Sequence, residues 1–249
     1  MKIAIYTSIV GNYDDLPQPA VVDDSFDFFC FTNDYQEERK GVWTIRKIPY
    51  ESDDPIRLSR FAKLMPHVVL PDYTYSVWLD ANLKIQSHDF YDVISKHVES
   101  GILLGQVPHC VPWCDCIYDD MKMCIRANKV NALKVLPQYI HLKRKHFPEH
   151  YGLCENNVIL RKHNESVLKR IDEEWWREYC KYTRRDQFSL MYVLWKCGLK
   201  GQPLFGNDCC ARNISCVEYV RHKGNGKSNL QNLNKVVRGI NKIVSWWLC

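Results

Sequence analysis

The sequence predicts a layered α/β fold, a mixed sheet flanked by helices, organised as one domain with a C-terminal extension. Three observations carry this. Short β-branched and aromatic runs alternate with longer stretches of helical period, the pattern of a sheet covered by helices. Hydrophobic residues make up 46% of the 249 positions against 25% charged, which supplies a sizeable core and excludes a disordered chain. No internal repeat, linker-like run or break in composition occurs before residue 219.

KIAIYTSIV (2–10) reads as a buried first strand and not as an export signal, because it lacks a basic leader and a small-residue cleavage site. FDFFCFT (26–32) and TIRKIP (44–49) read as further strands. SDDPIRLSRFAKLMPH (52–67) reads as a helix, with Ser52 and Asp53 as candidate caps, Pro55 near its first position, and Arg57, Arg60 and Lys63 along one side. YSVWLDANLKI (75–85) is the most strand-like segment, interrupted by Asp80-Ala81-Asn82. DFYDVISKHVES (89–100) is a helix ended by Gly101, and ILLGQV (102–107) is a buried strand. Helical period then runs from Ile117 to Lys145. NNVILRKH (156–163) restores a strand, and ESVLKRIDEEWWREYCKY (165–182) and RDQFSLMYVLWKCG (185–198) give two helices, the second closed by Gly198.

The net charge of +5 is unevenly placed. Residues 219–249 hold six basic side chains and no acidic one, so residues 1–218 carry 28 basic against 29 acidic groups. This argues for a local contact with something anionic and against a nucleic-acid-coating surface. In the tail, Leu233, Val236, Val237, Ile240, Ile243, Val244 and Trp247 share one helical face, while Lys235, Arg238, Asn241, Lys242 and Ser245 take the other. Such a helix suits an anionic membrane surface; docking back on the domain is the alternative. No apolar run reaches the ~18 residues of a spanning helix. Twelve cysteines without an export signal point to a reducing, cytoplasmic setting, with peripheral contact at the inner face of a membrane. Cys110, Cys114, Cys116 and Cys124 lack paired C-x-x-C spacing and read as buried apolar thiols rather than a zinc site.

Three polar interruptions could carry chemistry. An acid inside an apolar strand must be paired, hydrogen-bonded or metal-bound. Asp80 and Asn82 flank one small residue, so at a strand end their oxygens can converge on a hard cation, which would bridge the phosphates of a nucleotide diphosphate. An Asx turn is the plain alternative. In RRDQ (184–187), Asp186 and Gln187 open an apolar helix, either as a cap or as a carboxylate and an amide facing a sugar. HKGNGK (222–227) offers an imidazole, two glycines and Lys227 for phosphate, without Walker spacing.

Taken in this order, with IYTSIVGNYDDL, FDFFCFTND, RLSRFAKLMPH, YSVWLDANLKI, the His109 to Tyr118 segment, HFPEHYGLCENNVILRKH, WWREY and RRDQFSLMYVLWK, the sequence resembles a GT-A-type glycosyltransferase-like family of plant mucilage-type and microbial polysaccharide enzymes. More distantly it is similar to glycosyltransferase family eight. The resemblance implies a GT-A-like, Rossmann-like nucleotide-sugar-binding sheet over residues 1–218, with a basic loop and amphipathic helix at 219–249. It implies a metal, Mn²⁺ or Mg²⁺, on Asp80, Asn82 and His222, with Asn82 where the family has a second acid. Lys227 would meet the diphosphate. Thr7, Ser8, Tyr13 and Asp34 would line the nucleotide base, and Arg60 and Lys63 would face phosphate or sugar. Glu155, Asn156, Asp186 and Gln187 would form the sugar and catalytic end; pairing of Glu155 with Arg161 is the structural alternative. His109 and Asp115 would stand near the acceptor. The activity implied is transfer of a sugar from a nucleotide diphosphate sugar to a hydroxyl of a glycan or lipid-linked saccharide, with retention of configuration. The rivals are a nucleotidyltransferase, which would want more than Gly11 near the first strand, and a non-catalytic membrane-surface binding protein on the same fold.

Overall fold

The computed structural model describes residues 3–111, 113–207, 209–221 and 235–247. The elements are β1 (Ile3–Ser8), β2 (Phe26–Phe31), β3 (Arg39–Lys40), β4 (Trp43–Arg46), α1 (Pro55–Leu64), α2 (Pro66–Val69), β5 (Ser76–Leu79), β6 (Leu83–Ile85), α3 (Asp89–Glu99) and β7 (Leu104–Pro108). They continue with α4 (Ile117–Arg126), α5 (Ala132–Arg144), β8 (Cys154–Arg161), α6 (Ser166–Lys181), α7 (Gln187–Cys197), β9 (Gln202–Pro203), β10 (Val217–Tyr219) and α8 (Lys235–Trp247). One sheet runs in the order β3-β4-β2-β1-β5-β8-β7-β9, and β6 pairs with β10 in a small second one.

In the large sheet β4, β2, β1 and β5 are parallel and β8 runs against both β5 and β7. The carboxyl ends of β1, β2, β5 and β7 therefore meet the amino end of β8 along one rim, where open α/β sheets bind ligands. Alternation along the strands divides the core. Tyr6, Phe29, Phe31 and Trp78 pack on one face with α1, α4, α6 and α7. Ile3, Ile5, Phe28, Val77 and Leu79 pack on the other with α3.

Local chemistry sets the helix ends, and it differs from the expectation at three places. Asp54, not Ser52 or Asp53, caps α1: its Oδ1 accepts from Ile56 N at 3.1 Å and Arg57 N at 3.4 Å, while Ser52 Oγ accepts from Asp54 N. The helical period from Ile117 to Lys145 splits in two, because Asn128 turns to φ 51° and Asn131 caps α5 through Leu133 N. Asp186 stands before α7 without a side-chain capping bond; its carboxylate is engaged elsewhere. Gly198, at φ 69°, closes α7 as expected.

The tail helix docks, and by a residue assigned to its polar side. Asn241 is 2% exposed; its Oδ1 accepts from Ala132 N at 2.8 Å and its Nδ2 donates to Val130 O and Asn128 Oδ1, closing the turn between α4 and α5. The helix is thereby rotated from the expected seam, leaving Val236, Ile243 and Trp246 exposed. β10 runs across residue 218, so the division expected there falls within a paired strand. Cys114, Cys116 and Cys124 are buried among apolar side chains, and burial pushes the Cys114 and Cys124 thiols up to about 12.

Next to the end of β8, burial holds His163 down to about 4, with Nε2 2.9 Å from Leu70 O. An unfolded chain protonates this imidazole near its ordinary 6.5, whereas the folded chain refuses the proton until about 4. The stability it supplies is therefore complete above pH 6.5 and drains as the pH falls towards 4, by about 1.4 kcal/mol per unit. Urea unfolding across that window should give the wild type a slope steeper than that of His163→Gln by this amount. An equal slope in both proteins would refute the assignment.

Candidate active site

Lys63 is the hub of the rim. Its side chain is 2% exposed, on the last turn of α1, and Nζ lies 3.2 Å from Asp80 Oδ1 and 2.8 Å from Asp186 Oδ2. Arg60, one turn earlier, places Nε 3.7 Å from the same Asp186 oxygen. Burial alone would raise the Asp186 carboxyl, but Lys63 and Arg60 override it and hold the group far below the usual carboxylate range. The acid of the D-Q pair is thus spent on a charge network and not on the helix end.

The backbone of Lys63 is fixed from beneath. Its carbonyl accepts from Tyr6 Oη at 3.1 Å and from Arg161 Nη2, while Arg161 Nη1 meets Asp172 Oδ1 at 2.7 Å. Arg161 and Asp172 are each 1% exposed. Arg161 therefore pairs with Asp172, correcting its suggested pairing with Glu155.

Asp80 leaves β5 at the rim and is about a third exposed. Trp78 Nε1 donates to Asp80 Oδ1 at 2.6 Å, the same oxygen that Lys63 meets, and Asp80 N donates to Asn157 O at 2.9 Å. Asn82 is 7% exposed and its carbonyl accepts from Val220 N. A cavity of about 420 Å³ opens beside it, walled by Asp14, Gln18, Ala81, Lys84 and Arg221 among others.

On the β8 side, Glu155 Oε1 meets Arg212 Nη1 at 2.7 Å and Oε2 accepts from Asn157 Nδ2 at 2.7 Å. Burial pushes this carboxyl up, but bonds from Cys110, Arg212 and Asn157 outweigh it and leave it below its ordinary value. Asn156 is 5% exposed with Nδ2 unbonded among the described residues. Gln187 donates from Nε2 to Cys154 O at 3.2 Å and accepts from Arg185 Nη2 at 2.8 Å, which leaves one N–H and one lone pair for another partner.

At the end of β1, Thr7 and Ser8 are buried with hydroxyls unbonded among the described residues. The pairing of Tyr6 with Trp78 places Ser8 and Asp80 at equivalent steps along neighbouring strands. Asp34 Oδ2 accepts from Asn12 N at 2.8 Å, tying the loops after β1 and β2, and Tyr13 on the first of these is 52% exposed. The structure thus brings Arg60, Lys63, Asp80 and Asp186 into one network and Glu155 into another, joined through Asn157. It does not bond Thr7, Ser8 or Asp34 directly to either. His222 and Lys227 lie outside the described residues.

Among the described residues no three His, Cys, Asp or Glu side chains gather as a metal set. The chemistry of Asp80 and Asn82 nonetheless fits a hard divalent cation: two oxygens at a strand end, one carboxylate partly open to solvent, held by donors on Oδ1 alone. Lys63 and Arg60 are matched one for one by Asp80 and Asp186, so this network carries no surplus positive charge.

Sequence reasoning missed Arg212 and the Arg161–Asp172 pair. An arginine inside the apolar run of β8 did signal a buried partner; Arg212 lies in a segment with no periodicity to place it.

The family model "TOD1/MUCI70, glycosyltransferase-like domain" matches residues 1–222. No curated protein matches the chain. Among solved structures, galactosyltransferase LgtC in complex with donor and acceptor sugar analogs is 12% identical over 99% of this chain and 96% of its own, with a TM-score of 0.47. Mouse xyloside xylosyltransferase 1 is 9% identical over 78% and 81%, at 0.43. The WbbM bifunctional glycosyltransferase is 12% identical over 82% of this chain, which spans 38% of that protein's length, at 0.42. With its family match running from the first strand past the last strand of the sheet, the chain belongs to the TOD1/MUCI70 glycosyltransferase-like family, carried on an eight-stranded mixed sheet flanked by helices.

Proposed function

We propose that the chain transfers a sugar from a nucleotide diphosphate sugar to a hydroxyl of a glycan or lipid-linked saccharide, at the rim around Asp80. The observation that carries this reading is the buried Lys63 ammonium clamped between Asp80 and Asp186. A buried cation with two acids is a costly arrangement whose use is to fix two carboxylates where charge develops.

In this reading the buried hydroxyls of Thr7 and Ser8, with Tyr13 and Asp34, receive the nucleotide beyond β1. Asp80 and Asn82, with His222 as third ligand, would hold Mn²⁺ or Mg²⁺, which when bound supplies positive charge to the diphosphate. Lys227 adds a further cation. Lys63 keeps Asp186 ionised and aimed at the sugar, where its charge favours an oxocarbenium-like centre as the C1–O bond breaks. The nucleoside diphosphate leaves with the bonding electrons and takes up the proton that the acceptor hydroxyl gives up as its oxygen forms the new bond to C1. Asn156 Nδ2 and the remaining N–H of Gln187 are available for sugar hydroxyls. Glu155, neutralised by Arg212, is suited to shaping this end more than to proton transfer. Retention of configuration belongs to the same proposal, on the likeness of the D-Q pair to family eight.

Incubation with UDP- and GDP-sugars and Mn²⁺ tests it. Release of nucleoside diphosphate is expected; release of pyrophosphate would favour nucleotidyl transfer, and silence with every donor would favour a binding protein.

Contact with an anionic membrane surface is proposed for α8. No helix among the described residues is long and apolar enough to cross a membrane. With Asn241 facing inward, exposed Val236, Ile243 and Trp246 accompany Lys235 and Lys242, a combination suited to acyl chains below and anionic headgroups beside. Sedimentation with phosphatidylglycerol vesicles should pull down the protein, and Ile243→Asp with Trp246→Asp should abolish it. Binding that survives the double substitution would overturn this contact.

A further inference from the structure

The loop leaving β7 and the loop entering β8 form a surface to which the reaction described above assigns no group. Val107 pairs with Glu155 and Pro108 with Cys154, so the chain leaving β7 and the chain entering β8 rise from the rim that carries Glu155. The two loops are stitched together: His109 N donates to Leu153 O at 3.2 Å and Gly152 N to Asp115 O at 2.9 Å. Side chains add a third tie, His150 Nδ1 to Asp115 Oδ1 at 2.6 Å.

Two features of this clasp face solvent, and the first of them has no role in holding it. A turn closed by Cys114 N to Val111 O, and pinned by buried Cys114 and Cys116, carries Trp113 with 72% of its surface exposed. An indole of this size normally buries most of its area, and here Cys114 and Cys116 beside it are anchored in the core while it is held out. The His150 and Asp115 side chains are 64% and 50% exposed, yet stay together as a polar pair. Such a pair is close to neutral when His150 is protonated, and it presents a ring N–H donor beside a carboxylate acceptor.

We propose that Trp113, Asp115 and His150 form an acceptor platform, on which a pyranose ring lays its C–H face against the indole while neighbouring hydroxyls bond to the carboxylate and imidazole. A pyranose offers one apolar face and vicinal groups that both donate and accept, which matches an exposed aromatic ring next to a donor–acceptor pair. The position, at the rim on the Glu155 side and away from the β1 loops, assigns this saccharide to the acceptor and not to the donor nucleotide. The assignment rests on the glycosyl-transfer reading given above.

Saturation-transfer NMR with the methyl pyranosides of glucose, galactose, mannose, xylose and N-acetylglucosamine tests it without any turnover. Wild-type protein should transfer saturation to the ring protons of at least one of them. Trp113→Ala should weaken that binding about tenfold, and Trp113→Phe, which keeps a ring, should retain part of it. Since Trp113 is exposed, both variants should unfold at the wild-type temperature, which separates lost binding from lost fold. No signal from any pyranoside, an unchanged signal in Trp113→Ala, or a requirement for Trp113 only in vesicle binding would overturn the platform. Wild-type release of nucleoside diphosphate is measured separately. Release with no pyranoside signal sinks the platform alone, while a pyranoside signal with no release keeps the saccharide site and sinks the transferase reading.

Discussion

Replacing Lys63 with Met should lower kcat/KM for sugar transfer by about a hundred- to a thousandfold, the loss typical of removing one preorganised charge from a transition-state site. The cause is electrostatic. Asp80 and Asp186 are held together only because an ammonium lies 3.2 and 2.8 Å from them. Without it, Arg60 at 3.7 Å is the one cation left within ion-pair reach of Asp186 among the described residues. Burial, the largest influence on Asp186, would then push its carboxyl upward. The sign of the pH effect follows. In the wild type, Asp186 stays ionised throughout the range above ordinary carboxylate values, so it sets no acid limit there. In the variant, activity should fall as the pH drops through the raised value. Lys63→Arg should not restore activity, because a planar fork does not fit a slot shaped for a single ammonium. Profiles of kcat/KM against pH for the three proteins check this, and a Met variant within threefold of wild type at all pH would refute it.

The second large effect is on stability. Arg161→Met should cost about 3–5 kcal/mol, because it strands a buried carboxylate and does not merely delete a contact. Arg161 meets Asp172, Tyr6 Oη and the carbonyl of Lys63, and so couples β8, α6, β1 and α1. The double variant Arg161→Met, Asp172→Leu should recover much of the loss, since removing both charges also removes the desolvation cost. Urea unfolding of the single and double variants measures this; equal destabilisation in both would contradict it. The recovered double variant should still transfer sugar poorly, because the Lys63 carbonyl has lost one of its two supports.

What could be read from the sequence follows from where the information lies. Period and β-branching are local, so the strands at 3–8, 26–31, 76–79 and 154–161 and the helices at 55–64, 89–99, 166–181 and 187–197 stand close to their expected places. Two-residue β3 and β9, and β10 with its partner β6, have no period to detect; they exist because a long-range partner is present. The orientation of the tail helix was misjudged for a similar reason. A count of apolar residues puts Asn241 on the wet side, yet four backbone and side-chain groups of the turn between α4 and α5 need an amide, and that local demand sets the rotation. At the site, Asp80 stood out because an acid inside an apolar strand must have a partner, whereas Asp186, Lys63 and Arg60 were picked out by the family resemblance. Which partner each one takes was not legible, because that depends on the packing of α1 over β1 and β5. Arg212 shows the limit most clearly, a surface-loop cation recognisable only by the glutamate it covers.

The account stands on the rim at Asp80 being the place where the nucleotide's diphosphate docks. A crystal soaked with UDP or GDP and Mn²⁺ measures this directly. The account predicts diphosphate oxygens and metal density at Asp80 and Asn82, within one side-chain length of Lys63, with the base over the loop that follows β1. Diphosphate found on another face of the sheet, with Asp80 still bonded only to Lys63 and Trp78, would contradict it.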